Sequence, residues 1–265
     1  GAFMKLKLYQ IDSFADNVFK GNPAAVVPLG NKWLKDSVMQ HIAAENNLSE
    51  TAFYIKKGSK FHIRWFTPLK EVALCGHATL ASAYAEFFIR KNKSYFIVFD
   101  SQSGELKVKK DGKKLVMDFP ADKIKKITAP KSFAGCLNKN PVEIYEGSFD
   151  YMLVFKTEKD IREMKPDFLK MASINTRGII VTAPGEKSDF VSRFFAPAFG
   201  INEDPVTGSA HTALTPYWSK RLNKKSLTAR QLSKRGGILW CEDKGVRVQI
   251  AGSAVLYLKG TIAVR

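Results

Sequence analysis

Cysteine is scarce in this sequence: Cys75, Cys136 and Cys241 are the only three among 265 residues. An odd number at scattered spacings argues against a disulfide framework and for a reducing compartment. Long apolar runs are absent too. After Met4 the residues KLKLYQIDSF alternate in polarity, unlike the apolar stretch of a signal peptide, and no later run reaches the length of a membrane-spanning helix. Gly1-Ala2-Phe3 ahead of Met4 reads as an expression remnant and is set aside. The expectation is a soluble, cytoplasmic protein with no membrane role. Low-complexity segments are missing as well, and a 45% hydrophobic content suffices for one large domain or two smaller ones.

Acidic residues are also in deficit. Forty-two lysines and arginines against 25 aspartates and glutamates give a net charge of +17. Such a balance fits a nucleic-acid partner. The lysines, however, are dispersed in turns or alternate with apolar residues along strands, and no nucleic-acid motif accompanies them. A small anionic substrate would be steered by the same field. Nucleic acid is therefore not the expected partner, although charge alone does not decide.

What is present is mostly strand. Residues 5–12 alternate, Gly21-Asn22-Pro23 is a turn, and AAVVPL, SETAFYIKK and FHIRWF read as strands. Helical spacing of apolar residues runs from Trp33 to Ala44, ended by Asn46-Asn47, and again from Leu80 to Ile89. SYFIVFD, GELKVKK and KLVMDF are three short strands. The segment DFPADKIKKITAPKSF, with two prolines and little periodicity, is the best linker. Beyond it come VEIYEG, YMLVFK, RGIIVTAP and DFVSRFF, with a helix near Asp160 to Lys170 and another from near Ser209. GILWCE, GVRVQIAG and AVLYLKG close the chain as an antiparallel meander. Strands outnumber helices without strand–helix alternation, so the class is α+β in two parts.

An internal echo sharpens this. RWFTP (Arg64–Pro68) is matched by RFFAP (Arg193–Pro197). Each is followed by a loop, a glycine (Gly76, Gly208) and an apolar helix. The order implies two similar halves, 4–117 (with the final strand, 255–265, as a candidate addition) and 118–254. A helix start carries unpaired N–H groups and the positive end of the dipole, and glycine admits a ligand close to the main chain. One such start is a modest anion site; two facing each other across a cleft would cage a carboxylate. The blander alternative is that the glycines permit tight turns and Ser209 is an N-cap.

The chemistry-bearing residues lie beside these turns. His77 opens the first helix. Cys75 and His77, with only His211 as a third candidate, are a weak zinc signal, so no metal is expected. A Cys–His hydrolase lacks an orienting third group. Glu50, in NLSETAFY, enters an apolar strand; partial burial there would raise its pKa toward a range useful for proton transfer. Asp204 precedes the second glycine turn, stiffened by Pro205, and its neighbour Glu203 reads as solvated.

NLSETAF, FTPxxEVxLCGHATLA, RFFAPxxGINEDPVTGSAH and DSFxxxxFxGNPAAV together resemble the phenazine-biosynthesis PhzF-like family, which shares the diaminopimelate epimerase fold. The resemblance covers nearly the whole chain in the expected order. It implies two pseudo-symmetric domains, each a mixed, mostly antiparallel sheet wrapped around a central helix, with the active site between them. It further implies Glu50 as the proton-shuttling acid/base, His77 and Asp204 as supporting catalytic residues, and Gly76, Gly208 and Ser209 as substrate-lining positions. Asn22, in the GNP turn, is added to the substrate-binding set. No metal or organic cofactor is expected, and a homodimer is. The epimerase branch is similar but uses two cysteines, one before each glycine turn. Cys75 fills the first position, whereas EDPVTG supplies no second thiol. The expected activity is therefore a one-base isomerisation of a small carboxylate-bearing metabolite. A racemase or epimerase relying on Cys75, and a non-catalytic binder of small anions or nucleic acid, are the alternatives.

Overall fold

Alternation along the first residues builds a strand, and what that strand pairs with sets the first half of the protein. The computed structural model describes residues 3–264, so the first two positions of the expected expression remnant lie outside the described residues. By its internal contacts the chain divides into two units, Gly1–Asp118 with Ala251–Arg265, and Phe119–Ile250.

In the first unit the elements are β1 (Met4–Ser13), β2 (Asn22–Pro28), α1 (Asp36–Asn46), β3 (Glu50–Lys57), β4 (Lys60–Phe66), β5 (Glu71–Val72), α2 (Gly76–Tyr84), β6 (Phe96–Ser101), β7 (Gly104–Asp111) and β8 (Lys114–Pro120). β1 pairs antiparallel with both β2 and the C-terminal strand Ala254–Val264. The sheet then continues parallel from β2 to β3, antiparallel to β4, parallel to β6, and antiparallel through β7 to β8. Thr51 to Ile55 of β3 are all buried, so polarity does not alternate there. A strand covered on both faces has no solvent side to mark. One cover is α1, whose Met39, Ile42 and Ala43 pack with Leu6, Leu8, Val27, Phe53 and Phe66. The other is α2, buried from His77 to Ala83. Its alanines and serine keep the helix thin enough for a sheet to wrap around it.

Two expectations shift here. α1 starts at Asp36 rather than Trp33, because Lys35 is extended (ψ 141°) and Trp33 and Leu34 reach the core from irregular chain. The helix expected through Ile89 changes at Ala85 into a π-helical turn, Ala85–Ile89. There Glu86, buried, accepts the Tyr54 hydroxyl at 2.6 Å and pairs with Arg90 Nε at 2.6 Å.

The second unit repeats the pairing pattern. Its elements are β9 (Lys125–Ile127), β10 (Glu143–Glu146), β11 (Asp150–Val154), α3 (Glu158–Arg162), α4 (Phe168–Ala172), β12 (Gly178–Pro184), β13 (Phe190–Ala196), β14 (Ile201–Asp204), α5 (His211–Leu222), β15 (Ser226–Gln231), β16 (Gly237–Asp243) and β17 (Arg247–Gly252), whose last two residues fall in the first unit. β10 to β11 is antiparallel, β11 to β12 parallel, β12 to β13 antiparallel, β13 to β15 parallel, and β15 to β16 antiparallel. This is the order of β1, β2, β3, β4, β6 and β7. The echo seen in the sequence is thus an echo of topology, and both units are α+β.

The matched RWF and RFF motifs occupy equivalent strands and make equivalent contacts. Arg64 forks onto Glu71 at 2.7 Å through both nitrogens and lies 5.2 Å above the Phe66 ring. Arg193 forks onto Glu203 at 2.7 and 2.9 Å and lies 5.0 Å above Phe195. Glu203 was expected to be solvated; instead it is the arginine's bidentate partner.

The helix expected over 160–170 is two short helices. Pro166 forbids continuation, and Thr157 and Asp167 cap the two starts. The stretch read as a linker contains β9, which pairs with β10. In α5, Pro216 cannot donate to Thr212; the Asp122 N–H takes that carbonyl at 3.1 Å. Trp218 of α5 stacks on Phe190 at 5.8 Å. Among the described residues no helix is long and apolar enough to cross a membrane.

Candidate active site

The first glycine turn is built where β5 gives way to α2. Cys75 is extended (φ −147°, ψ 107°), and the first helical bond runs from Thr79 N–H to Cys75 O at 3.2 Å. The amides of Gly76, His77 and Ala78 therefore lie ahead of that bond, at the positive end of the helix. No side chain caps this start.

His77 is held at two points by the β1–β2 hairpin. Ser13 and Asn22 face each other across that pair. Ser13 Oγ donates to the His77 carbonyl at 2.8 Å, and the Asn22 amide nitrogen lies 3.2 Å from His77 Nδ1. Between them Gly21 has φ +65°, and a Cβ there would sit 2.1 Å from the Ser13 carbonyl oxygen. Only glycine closes this turn, which is why the motif reads G-N. Asp12 tightens the same loop by accepting the Phe19 N–H at 2.9 Å.

On the other side of the imidazole, Nε2 lies 3.3 Å from Glu50 Oε2. Glu50 opens β3, paired with Ala24 of β2, and its side chain is 13% exposed. Burial lowers the His77 pKa to about 3, so the ring is neutral at physiological pH. Sequence reasoning missed Ser13 as a member of this cluster; its place in DSFxxxxFxGNP was the available signal.

Cys75 Sγ lies 3.5 Å from His77 Nδ1. Ligand atoms of Glu50, Cys75 and His77 all fall within 4.8 Å of one another, the donor set a metal would use. Yet the thiol faces Nδ1 while the carboxylate faces Nε2. The thiol sulfur and a carboxylate oxygen are nevertheless within 4.8 Å of each other, so the three donors are close enough to reach a common ion.

The second glycine turn, in the other unit, has its own bracing. Thr207 Oγ1 donates to Asp204 Oδ2. Gln231 Nε2 donates to the Asp204 carbonyl at 2.8 Å while its Oε1 accepts the Thr207 N–H at 2.9 Å. Ser233 Oγ holds the Pro205 carbonyl at 2.7 Å. Gln231 and Ser233 had no local signal. Gly208–Ala210 form a turn whose first bond is His211 N–H to Gly208 O at 3.0 Å, so α5 begins two residues later than Ser209. Ser209 is half-buried and provides no side-chain cap. Neither Gly76 nor Gly208 takes a positive φ, so left-handed backbone is not what selects them. His211, fully buried, has Nδ1 at 2.9 Å from the Thr207 carbonyl.

The structure thus brings Glu50, His77, Asn22 and Gly76 together within the first unit. Asp204, Gly208 and Ser209 share one loop within the second.

Comparison with known proteins agrees with this architecture. Residues 11–260 match the family described as phenazine biosynthesis-like protein, PhzC-PhzF. An uncharacterized isomerase of Pseudomonas aeruginosa is 50% identical over 98% of this chain and 99% of its own. The crystal structure of a PhzF-family phenazine biosynthesis protein from Enterococcus faecalis superimposes with a TM-score of 0.95. It is 47% identical over 98% of this chain and 100% of that one. A predicted epimerase from Pseudomonas aeruginosa, 18% identical over 97% and 99% of the two chains, shares the fold with a TM-score of 0.74. The fold is the epimerase-like one that the motifs implied, and relatives of this closeness place the protein among isomerases. With its motifs, its duplicated topology and its near-complete match, this chain belongs to the phenazine biosynthesis-like (PhzC-PhzF) family.

Proposed function

We propose that the protein is an isomerase that relocates a proton on a small, carboxylate-bearing substrate, with Glu50 as the single acid/base. The observation carrying this reading is the Glu50–His77 pair. A largely buried carboxylate lies 3.3 Å from the Nε2 of a histidine that burial keeps neutral. A neutral imidazole beside the carboxylate does not neutralise it as a cation would.

In this reading Glu50 removes a proton from a carbon next to an electron-withdrawing group. The C–H electron pair enters the adjoining π system, and the same carboxyl returns a proton at another carbon. Atoms and electrons balance within the substrate, so no oxidant or reductant is consumed. The amides at the Gly76 turn bind the substrate carboxylate and favour the negative charge that develops. Asp204, Gly208 and Ser209 are proposed to take part as the family resemblance implies.

A thiol-based racemase is the second reading, favoured only by Cys75 beside His77. Its supply of a second thiol is poor. Burial pushes the Cys241 thiol up to about 12 and also raises Cys136.

The test is Glu50→Gln, assayed on a panel of cyclic and enol-type carboxylic acids in D2O by proton NMR. Turnover is expected to fall by about 10²–10⁴-fold with the unfolding midpoint unchanged. A variant as active as the parent overturns the assignment of Glu50. Loss of activity on thiol alkylation, with Glu50→Gln intact, favours the racemase.

A further inference from the structure

We infer that Asn22 is a positioning residue that fixes the tautomer of His77, placing the ring proton on Nε2, the nitrogen on the Glu50 side. The inference rests on the proposed role of Glu50 for its catalytic consequence, but not for its structural content.

An imidazole offers one N–H and one lone pair when neutral, and its partners decide which nitrogen holds which. The Asn22 NH2 group can only donate. Lying 3.2 Å from Nδ1, it requires a lone pair there. The ring proton then belongs to Nε2, which lies 3.3 Å from Glu50 Oε2. At that distance the two atoms do not form a hydrogen bond in this structure, so the carboxylate acts on this proton through its charge. Reversing the tautomer would set the Nδ1 proton against the Asn22 N–H, and an Nε2 lone pair against a carboxylate.

The surroundings are built to keep Asn22 in place. It is 0% exposed, opposite Ser13 in the hairpin, and Ser13 clamps the backbone of the same histidine. Gly21 makes that approach sterically possible. The hairpin motif D-S-F…G-N-P is therefore a holder for His77. Asn22 is buried behind the ring, away from the nitrogen that faces Glu50, a place suited to positioning His77.

His211 gives an internal contrast. Its Nδ1 faces a carbonyl oxygen, which can only accept, so there the proton sits on Nδ1. One chain thus holds two neutral histidines of opposite tautomer.

The test is long-range nitrogen–proton correlation NMR on the full chain labelled with ¹⁵N-histidine, with His77 assigned by His77→Gln. His77 is expected to show an unprotonated Nδ1 and a protonated Nε2, and His211 the reverse. Asn22→Asp replaces a donor by an acceptor of the same shape and is expected to move the His77 proton to Nδ1. A wild-type His77 protonated at Nδ1, or an Asn22→Asp spectrum with Nδ1 still unprotonated, overturns the inference. Should Asn22→Asp fail to fold, the wild-type spectrum decides alone. In turnover, Asn22→Asp is expected to lose about ten- to a hundredfold in kcat with KM little changed. A wild-type kcat beside a switched tautomer overturns the catalytic part. Full activity in Glu50→Gln would instead overturn the role of Glu50 and leave the tautomer spectrum to judge Asn22.

Discussion

His77 and His211 are both buried and both neutral, and this has a consequence for stability. Burial lowers their pKa values to about 3 and about 4. In the unfolded chain a histidine titrates near 6.5. Below that pH the unfolded state binds protons that the native state refuses, so stability falls as pH falls. The loss begins near pH 6.5 and runs to about 4 for both residues, and to about 3 for His77. Between pH 6.5 and 5 the pair should remove roughly 3 kcal/mol. Urea unfolding across that range checks this, and His77→Gln should remove about half of the slope. At this same scale the candidate site residues that the structure brings together were legible in the sequence. Glu50, Cys75 and His77 stood in recognisable motifs; Ser13 stood in one too but with no sign of its role, and Gln231 stood in none, because both brace others across the fold.

Among elements, the duplicated arginine forks carry the most weight. Arg64 and Arg193 hold the short strands β5 and β14 that lead into the two glycine turns. They are not equally committed. Arg193 also donates to the carbonyls of Ile161 and Met164 at 3.2 and 3.0 Å, which lie at and beyond the end of α3. Arg64 instead reaches the largely exposed Asp36. Arg193→Ala should destabilise by about 3–5 kcal/mol, since it strands a half-buried carboxylate and two carbonyls. Arg64→Ala should remove about 1–3 kcal/mol. Chemical denaturation of the two variants measures the difference, and lysine should restore little at either site because it lacks the planar fork. Glu203 was misread from the sequence because its partner lies on the neighbouring strand β13, beyond any local pattern. The start of α1 was misplaced for a related reason. Trp33 and Leu34 are apolar because they pack, not because they are helical.

For the whole molecule, the first unit is discontinuous. Its β1 is complete only when the last strand, Ala254–Val264, pairs with it from Met4 to Ser13. Ile262 and Val264 pack on the core that contains Leu6 and Leu8. Deleting residues 251–265 should therefore leave an unpaired strand edge and an open core next to the hairpin that holds His77. The truncated chain is expected to lose cooperative thermal unfolding and to aggregate; a sharp, unchanged transition by calorimetry would refute this. The net charge of +17 belongs to this scale too. It favours approach of anions of any kind, and it is screened by salt.

By itself the sequence determined the α+β class, most strand positions, the internal duplication and the family to which the motifs point. These follow from local periodicity, turn residues and short ordered motifs, all of which act over a few neighbouring positions. Only the tertiary structure decided that Asn22 and Ser13 would hold His77, that His77 would face Glu50, and that Arg193 would claim Glu203. Those meetings depend on which strands pair and in which register. That choice is made by burial and by the satisfaction of polar groups across the whole fold.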